Sequence, residues 1–303
     1  MAKRKSDTKL ITLLVIAVLL IVCGIGAKFM FGGSEEPFEK TGLKETAPDG
    51  NMYVNFIDVG QGDCTLITCG ETAILIDSGE VAESQTVINY LNNKGVKDID
   101  CCIATHPHSD HIGSMGKVLN AFPVKDVIMP EIPESIIPTT KAYEKFLAAV
   151  SENAENVYPA EVGETYTYGD VKIQILAPVN DYDDLNNMSV VAKVTYGKTS
   201  FMMTGDAGKP SEADMLKNNY DYSADVLKLG HHGSKTASSE AWLKAVNPDC
   251  AVICCGLNND YGHPHKPTIN RLDKLGIKYL RTDVLGDIVF VSDGTTVKMV
   301  EKN

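Results

Sequence analysis

Thr105-His106-Pro107-His108-Ser109-Asp110-His111 constrains this chain more than any other stretch. Its three histidines and one aspartate come directly after the apolar run Ile99 to Ala104. Such a run reads as a buried strand, which puts the polar cluster on a short loop at a strand end. Neutral imidazole and carboxylate suit a borderline divalent ion. On a tightly turning loop His106 and His108 can face one ion while Asp110 and His111 face a neighbour. Two ions ~3.5–4 Å apart can polarise an ester and activate the water between them. A plain polar surface loop is the alternative, and it leaves the density of histidine without a cause.

At 303 residues and 44% apolar content, the chain can hold one large or two ordinary domains. The net charge of -12 is uneven, because Lys3, Arg4, Lys5, Lys9 and Lys28 cluster around the first apolar segment and leave the remainder more acidic still. Such a surface repels polyanions, so a nucleic-acid substrate would need a local basic or metal-bearing groove.

Residues 10 to 27 carry no charge and are rich in Leu, Ile and Val, with cationic residues before them. This pattern predicts a membrane helix over 10–30, with residues 1–9 cytoplasmic and the rest outside. A lipoprotein site at Cys23 and a cleaved signal are the alternatives, and both also export the remainder of the chain. Residues 31–51 lack apolar periodicity and read as a flexible tether, which leaves 52–303 as the folded domain. The seven cysteines beyond Cys23 are odd in number and mostly sit in apolar runs, so they read as buried small side chains rather than a disulfide framework.

Along the domain, strands are predicted at 52–58, 63–69, 73–76, 99–104, 126–129, 171–176, 190–196, 200–203, 225–229 and 251–255, with three more strands closing the chain. Helices are predicted at 83–93, 112–122, 141–151, 211–218, 240–246 and 268–275. Polar clusters fall just after strands, at Asp58, Asp77, His106 to His111, Asp206, His231 and His263. In layered α/β domains, ligands collect at strand ends in this way. Two β-rich halves, each succeeded by helices, predict an α/β fold of four layers, an αββα sandwich.

The segments FIDVGQGD (56–63), ILIDSG (74–79), THPHSDHIG (105–113), MTGD (203–206), LKLGHHGS (227–234), YGHPH (261–265) and RTDVLGDI (281–288) resemble the metallo-β-lactamase fold. They are most similar to the hydrolase domain of ComEC-type DNA-uptake proteins and their stand-alone relatives. The resemblance spans roughly residues 52 to 301. It implies two divalent ions, zinc or manganese, with His106 and His108 on the first and Asp110, His111 and His231 on the second. Asp206 would bridge them, and Asp77 would orient the histidine loop through hydrogen bonds. His232, Ser234, His263 and His265 are placed to grip a phosphate. Many members of the fold carry a third histidine for the first ion where this chain has Asn186-Asn187-Met188-Ser189, so the first site is expected to be a ligand short.

Adjacent histidines on an extended backbone cannot point the same way, so one of His231 and His232 is expected to bind metal and the other substrate. Asn187 and Ser189 are expected at the substrate beside them, with Asp110, His232, His263 and His265 in the chemistry. Asp58 reads as a loop-shaping residue and Lys235 as loop solvation. The leading expectation is an exported, membrane-tethered and monomeric dimetal hydrolase of phosphoesters, with the phosphodiesters of single- or double-stranded DNA as its substrate. One apolar segment makes no channel, so a separate channel partner, nutrient scavenging from extracellular DNA and another phosphoester all stay open. The same fold could instead cleave a lactam, a thioester or a cell-wall phosphocholine ester, the last needing an aromatic box that Trp242, the only tryptophan, does not supply alone. A non-catalytic metal- or nucleic-acid-binding surface domain is the remaining alternative.

Overall fold

The computed structural model describes residues 40–41 and 50–300. The expected cytoplasmic segment 1–9, the expected membrane helix 10–30 with Cys23, and most of the expected tether 31–51 lie outside them. Among the described residues no helix is long and apolar enough to cross a membrane.

In chain order the first half supplies β1 (Lys40–Thr41), β2 (Met52–Phe56), β3 (Thr65–Cys69), β4 (Thr72–Ile76), β5 (Ile99–Ile103), β6 (Val124–Met129) and β7 (Ala154–Pro159). The second half supplies β8 (Thr165–Tyr168), β9 (Val171–Ala177), β10 (Val191–Tyr196), β11 (Thr199–Met203), β12 (Val226–Lys228), β13 (Cys250–Ile253) and β14 (Lys278–Arg281). β15 (Ile288–Ser292) and β16 (Val297–Val300) then return to the first half. A nine-stranded sheet runs β1-β16-β15-β2-β3-β4-β5-β6-β7, and a seven-stranded sheet runs β14-β13-β12-β11-β10-β9-β8.

Both sheets change from antiparallel to parallel pairing partway across. β2, β3 and β4 form an antiparallel meander, whereas β4 to β7 are parallel. Likewise β9, β10 and β11 are antiparallel and β11 to β14 parallel. Parallel strands end on one side of their sheet, so the loops after β4 and β5, and those after β11, β12 and β13, are the ones free to gather ligands.

Three apolar layers separate the four structural ones. Between the sheets, Phe56, Ile67 and Ile103 meet Phe201, Val226 and Val252. Phe201 and Phe290 cross there edge to face at 6.2 Å, and truncating either to alanine should cost about 3–5 kcal/mol. On its outer face the first sheet buries Leu66, Leu75 and Cys102 under helices α1 (Ser84–Asn93), α2 (Ser109–Ile112), α3 (Met115–Ala121) and α4 (Lys141–Asn153). The second sheet buries Leu227, Ala251 and Ile253 under α5 (Lys209–Met215), α6 (Glu240–Val246) and α7 (Lys266–Leu275), which contribute Met215, Trp242 and Leu272. A one-turn helix, α8 (Thr282–Leu285), joins β14 to β15.

Four expectations need adjustment. The helix over 112–122 is two helices, because the Ser114 hydroxyl donates to Glu80 O and Gly113 packs its backbone against Val81. β7 has no alternating pattern because it is an edge strand paired only with β6. Within the tether, Lys40–Thr41 pairs parallel with β16. Of the closing strands, β14 joins the second sheet while β15 and β16 join the first. The cysteines meet expectation: all seven in the domain are free, and all but Cys69 are buried.

Candidate metal centre

Asp77, at the end of β4, organises the histidine loop. Its Oδ1 accepts from Thr105 N–H at 2.8 Å, and its Oδ2 accepts from the Thr105 hydroxyl at 2.7 Å and from His111 Nδ1–H at 2.7 Å. Ser78 N–H donates to His111 O at 2.7 Å, so both ends of the loop are fixed to one strand end. The loop is also fixed from below. Asp63 N–H donates to Asp110 O, and this close approach requires Gly62, where a Cβ would lie 2.4 Å from that oxygen and φ is +147°.

The second sheet contributes Asp206, on the turn after β11. Its N–H donates to Ser189 Oγ at 3.0 Å, and the preceding Gly205 has φ +48°, where a Cβ would lie 2.8 Å from the Thr105 side chain. The two carboxylate oxygens of Asp206 face different histidines. Oδ1 lies 3.3 Å from His111 Nε2 and 3.5 Å from His232 Nε2. Oδ2 lies 3.9 Å from His106 Nε2 and 3.6 Å from His231 Nε2. Asp110 Oδ2 closes the first group, 3.2 Å from His232 Nε2 and 3.8 Å from His111 Nε2. On the other side His106 Nε2 and His108 Nδ1 approach to 3.0 Å.

Protonation decides what such a group can hold. His111 gives its Nδ1 hydrogen to Asp77, and His232 Nδ1 sits 2.8 Å from Cys254 O, to which it donates. In the neutral rings both Nε2 atoms are therefore lone pairs, aimed at carboxylate oxygens that are also acceptors. His111 Nε2, His232 Nε2 and Asp206 Oδ1 are buried without any hydrogen-bond partner. Asp110, His111, Asp206 and His232 bring one ligand atom each to within 4.8 Å of one another. A divalent cation satisfies all of these acceptors at once, so the residues fit one. Without a cation, protons must take its place. Burial lowers the affinity of His232 for a proton, but Asp206 and Asp63 outweigh burial and push its pKa up to about 9. Burial likewise raises Asp206, but His232 and His111 hold its carboxyl well below the ordinary carboxylate range.

The structure sorts the expected residues. His106, His108, Asp110, His111 and Asp206 converge, and Asp77 braces them. His231 and His232 both point to Asp206, rather than one to a metal position and one to substrate. His232 is buried among Asp110, His111 and Asp206, while the more exposed His231 lies on the Oδ2 side of Asp206. The cause is local: both residues have left-handed backbone, φ 50° and 51°, so they form a tight turn rather than an extended segment. Asn187 and Ser189 do not line the cleft that opens over the cluster. Asn187 is tied to Asp184 Oδ2 and Gly208 N, and the fully buried Ser189 supports Asp206 N and lies 3.3 Å from His106 Nδ1. Ser234 is buried against Thr236, and His265 Nδ1 accepts from Lys235 N–H beside the cleft. Asp58 shapes its loop by accepting Gly60 N–H.

A cleft of 580 Å³ opens over the cluster, lined by His108, Asp110, Asp206, His231, Tyr261 and His263 among others. Tyr261 is 65% exposed and stacks on His263, with ring centroids 5.5 Å apart and planes 16° apart. Sequence reading passed over Tyr261, Asp63 and Lys228, although each stands inside a motif it singled out.

The chain belongs to the metallo-β-lactamase superfamily, whose profile its residues 57–257 match. Among individual proteins it is similar to ComE operon protein 3 of Bacillus subtilis, with 32% identity over 256 residues, 78% of this chain and 32% of that protein. The chain thus spans about a third of the length of the first curated relatives it matches. It is also 26% identical over 134 residues to the exodeoxyribonuclease WalJ of Streptococcus pneumoniae, covering 44% of this chain and 46% of that one. Among solved structures, the metallo-β-lactamase fold protein YhfI of Bacillus subtilis shares the fold, with a TM-score of 0.55 at 14% identity, over 80% of this chain and all of that one.

Proposed function

We propose that the chain is a dimetal phosphodiesterase acting on nucleic acid. The observation that carries this reading is the division of Asp206 between two histidine sets, opening onto a cleft rimmed by neutral donors and one exposed aromatic ring. The name of one relative, an exodeoxyribonuclease, supports the same substrate class.

In this reading His106, His108, Asp206 and His231 face the first ion and Asp110, His111, His232 and Asp206 the second. Zinc or manganese bound there would supply Lewis acidity to a phosphoryl oxygen and a more acidic water. The protein supplies geometry: Asp77 and Cys254 O keep the Nε2 lone pairs of His111 and His232 turned inward. Burial, then His232 and His231, push the pKa of His263 down to about 4, and from the cleft it is proposed to hydrogen-bond a phosphate oxygen. Tyr261 offers its open face to a base flanking the scissile phosphate. The domain is proposed to work outside the cell, held by residues 10–30, and a separate channel protein is the partner proposed for any part in DNA uptake.

The test uses the purified chain with manganese or zinc on single- and double-stranded DNA and on bis-p-nitrophenyl phosphate, with Asp206→Asn as the control. Metal-dependent cleavage that disappears in the control is expected. Wild-type protein that binds two ions and cleaves none of these phosphodiesters would overturn the reading.

A further inference from the structure

Lys228, the last residue of β12, is buried with 3% of its surface exposed, and neither metal position uses it. Burying an ammonium away from water is costly unless a partner is present. Its partner is Asp63, itself 4% exposed, in a direct Nζ to Oδ2 contact. Lys228 Nζ also donates to Gly205 O at 3.2 Å, on the turn that carries Asp206, and Thr204 Oγ1 returns a hydrogen bond to Lys228 O at 2.7 Å. The pair therefore spans from a loop of the first sheet to the strand and turn of the second.

Asp63 meets the metal ligands from behind. Its Oδ1 lies 3.2 Å from His232 Nδ1 and its Oδ2 lies 3.8 Å from His111 Nδ1. Its backbone holds Asp110 O through its N–H and receives Gly79 N–H at its carbonyl. Asp63, Asp77 and His111 also bring ligand atoms to within 4.8 Å of one another, but that trio needs no cation. Asp77 already takes the His111 hydrogen and Lys228 already neutralises Asp63. The carboxylate thus faces the Nδ1 edges of both rings and leaves their Nε2 edges for the cation.

We propose that Asp63 and Lys228 are positioning residues for the second metal position, fixing the His232 ring and the Gly205-Asp206 turn relative to Asp110 and His111. A buried ion pair is seldom more stabilising than apolar side chains of the same volume, so stability alone does not account for it, whereas ligand placement across two sheets does. The inference rests on the two-ion reading of the site but not on any substrate.

The experiment measures metal content and stepwise affinity of the full-length chain by elemental analysis and chelator competition, together with thermal unfolding of the metal-free form. Lys228→Met should lower affinity for the second ion about 10- to 100-fold while the first is retained, the range typical for ligand-supporting residues. The double variant Asp63→Asn with Lys228→Met removes the unpaired charge. It should recover metal-free thermal stability without recovering the second ion. If that double variant binds both ions with wild-type affinity, the pair is merely structural and the proposal fails. Should either of these variants not fold, Lys228→Arg keeps the charge but shifts it relative to Gly205 O, and wild-type affinity for the second ion in that variant would equally overturn the proposal. A wild-type chain that binds no second ion overturns the two-ion reading and this proposal together.

Discussion

Asp77 Oδ2 and His111 Nδ1 lie 2.7 Å apart at the end of two adjacent parallel strands, and this contact decides which edge of the His111 ring faces Asp206. Asp77→Asn keeps the shape but lets the side chain present an N–H where the ring needs an acceptor. Metal affinity should drop about 10- to 100-fold, as for other residues that orient ligating histidines. Competition with a chromophoric chelator measures this, and unchanged affinity would refute the brace.

Stability of the metal-free chain should depend on pH in a definite direction. His232 holds its proton up to about 9 in the folded state, against a value of 6.5 for an ordinary histidine. Its contribution is then fully present below pH 6.5 and lost as pH rises through about 9. Cations bind the unprotonated ring, so metal should stabilise the chain more at the top of this window than at the bottom. Thermal unfolding of chelator-treated and metal-loaded protein across the window checks both slopes. A chelated protein with a flat profile would contradict the assignment.

Ser189 separates a supporting role from a substrate contact. Ser189→Ala leaves the buried Asp206 N–H without its acceptor, at a cost of about 1–3 kcal/mol. The expected result is a melting temperature lower by several degrees with KM for any substrate unchanged. A raised KM at unchanged stability would restore Ser189 to the substrate side.

Tyr261 should act on binding rather than turnover. Base stacking on an aromatic side chain is worth about 1–3 kcal/mol, so Tyr261→Ala should raise KM for single-stranded DNA about 5- to 100-fold. Tyr261→Phe should behave as wild type, and a substrate lacking a base beside the cleaved phosphate should not distinguish the three proteins. Equal KM values for wild type and Tyr261→Ala would remove the ring from recognition.

The parts of this site visible in the sequence are those whose geometry is carried by adjacent residues. His106, His108, Asp110 and His111 sit on one loop, so their spacing specifies their convergence before any fold is known. Asp206 is legible because a lone aspartate ends an apolar strand. The split of His231 and His232 between metal and substrate assumes extended backbone, whereas the packed turn with φ 50° and 51° brings both rings to Asp206. Asn187 and Ser189 look like substrate donors because polar residues near a site read as exposed, whereas here they satisfy Gly208 N and Asp206 N. Lys228 and Asp63 are hidden for a different reason. A charged residue at the end of an apolar strand normally marks emergence into solvent, and only the tertiary structure shows that these two meet 165 positions apart in the interior.

The first-sheet loop holds His106 to His111 and the second-sheet turns hold Asp206 to His232, so neither half of the polypeptide has a complete set of donors. In the proposed two-ion reading, a nascent chain therefore lacks a complete site for either ion. Loading waits until both sheets have docked, and the compartment in which folding finishes decides which metal the protein receives.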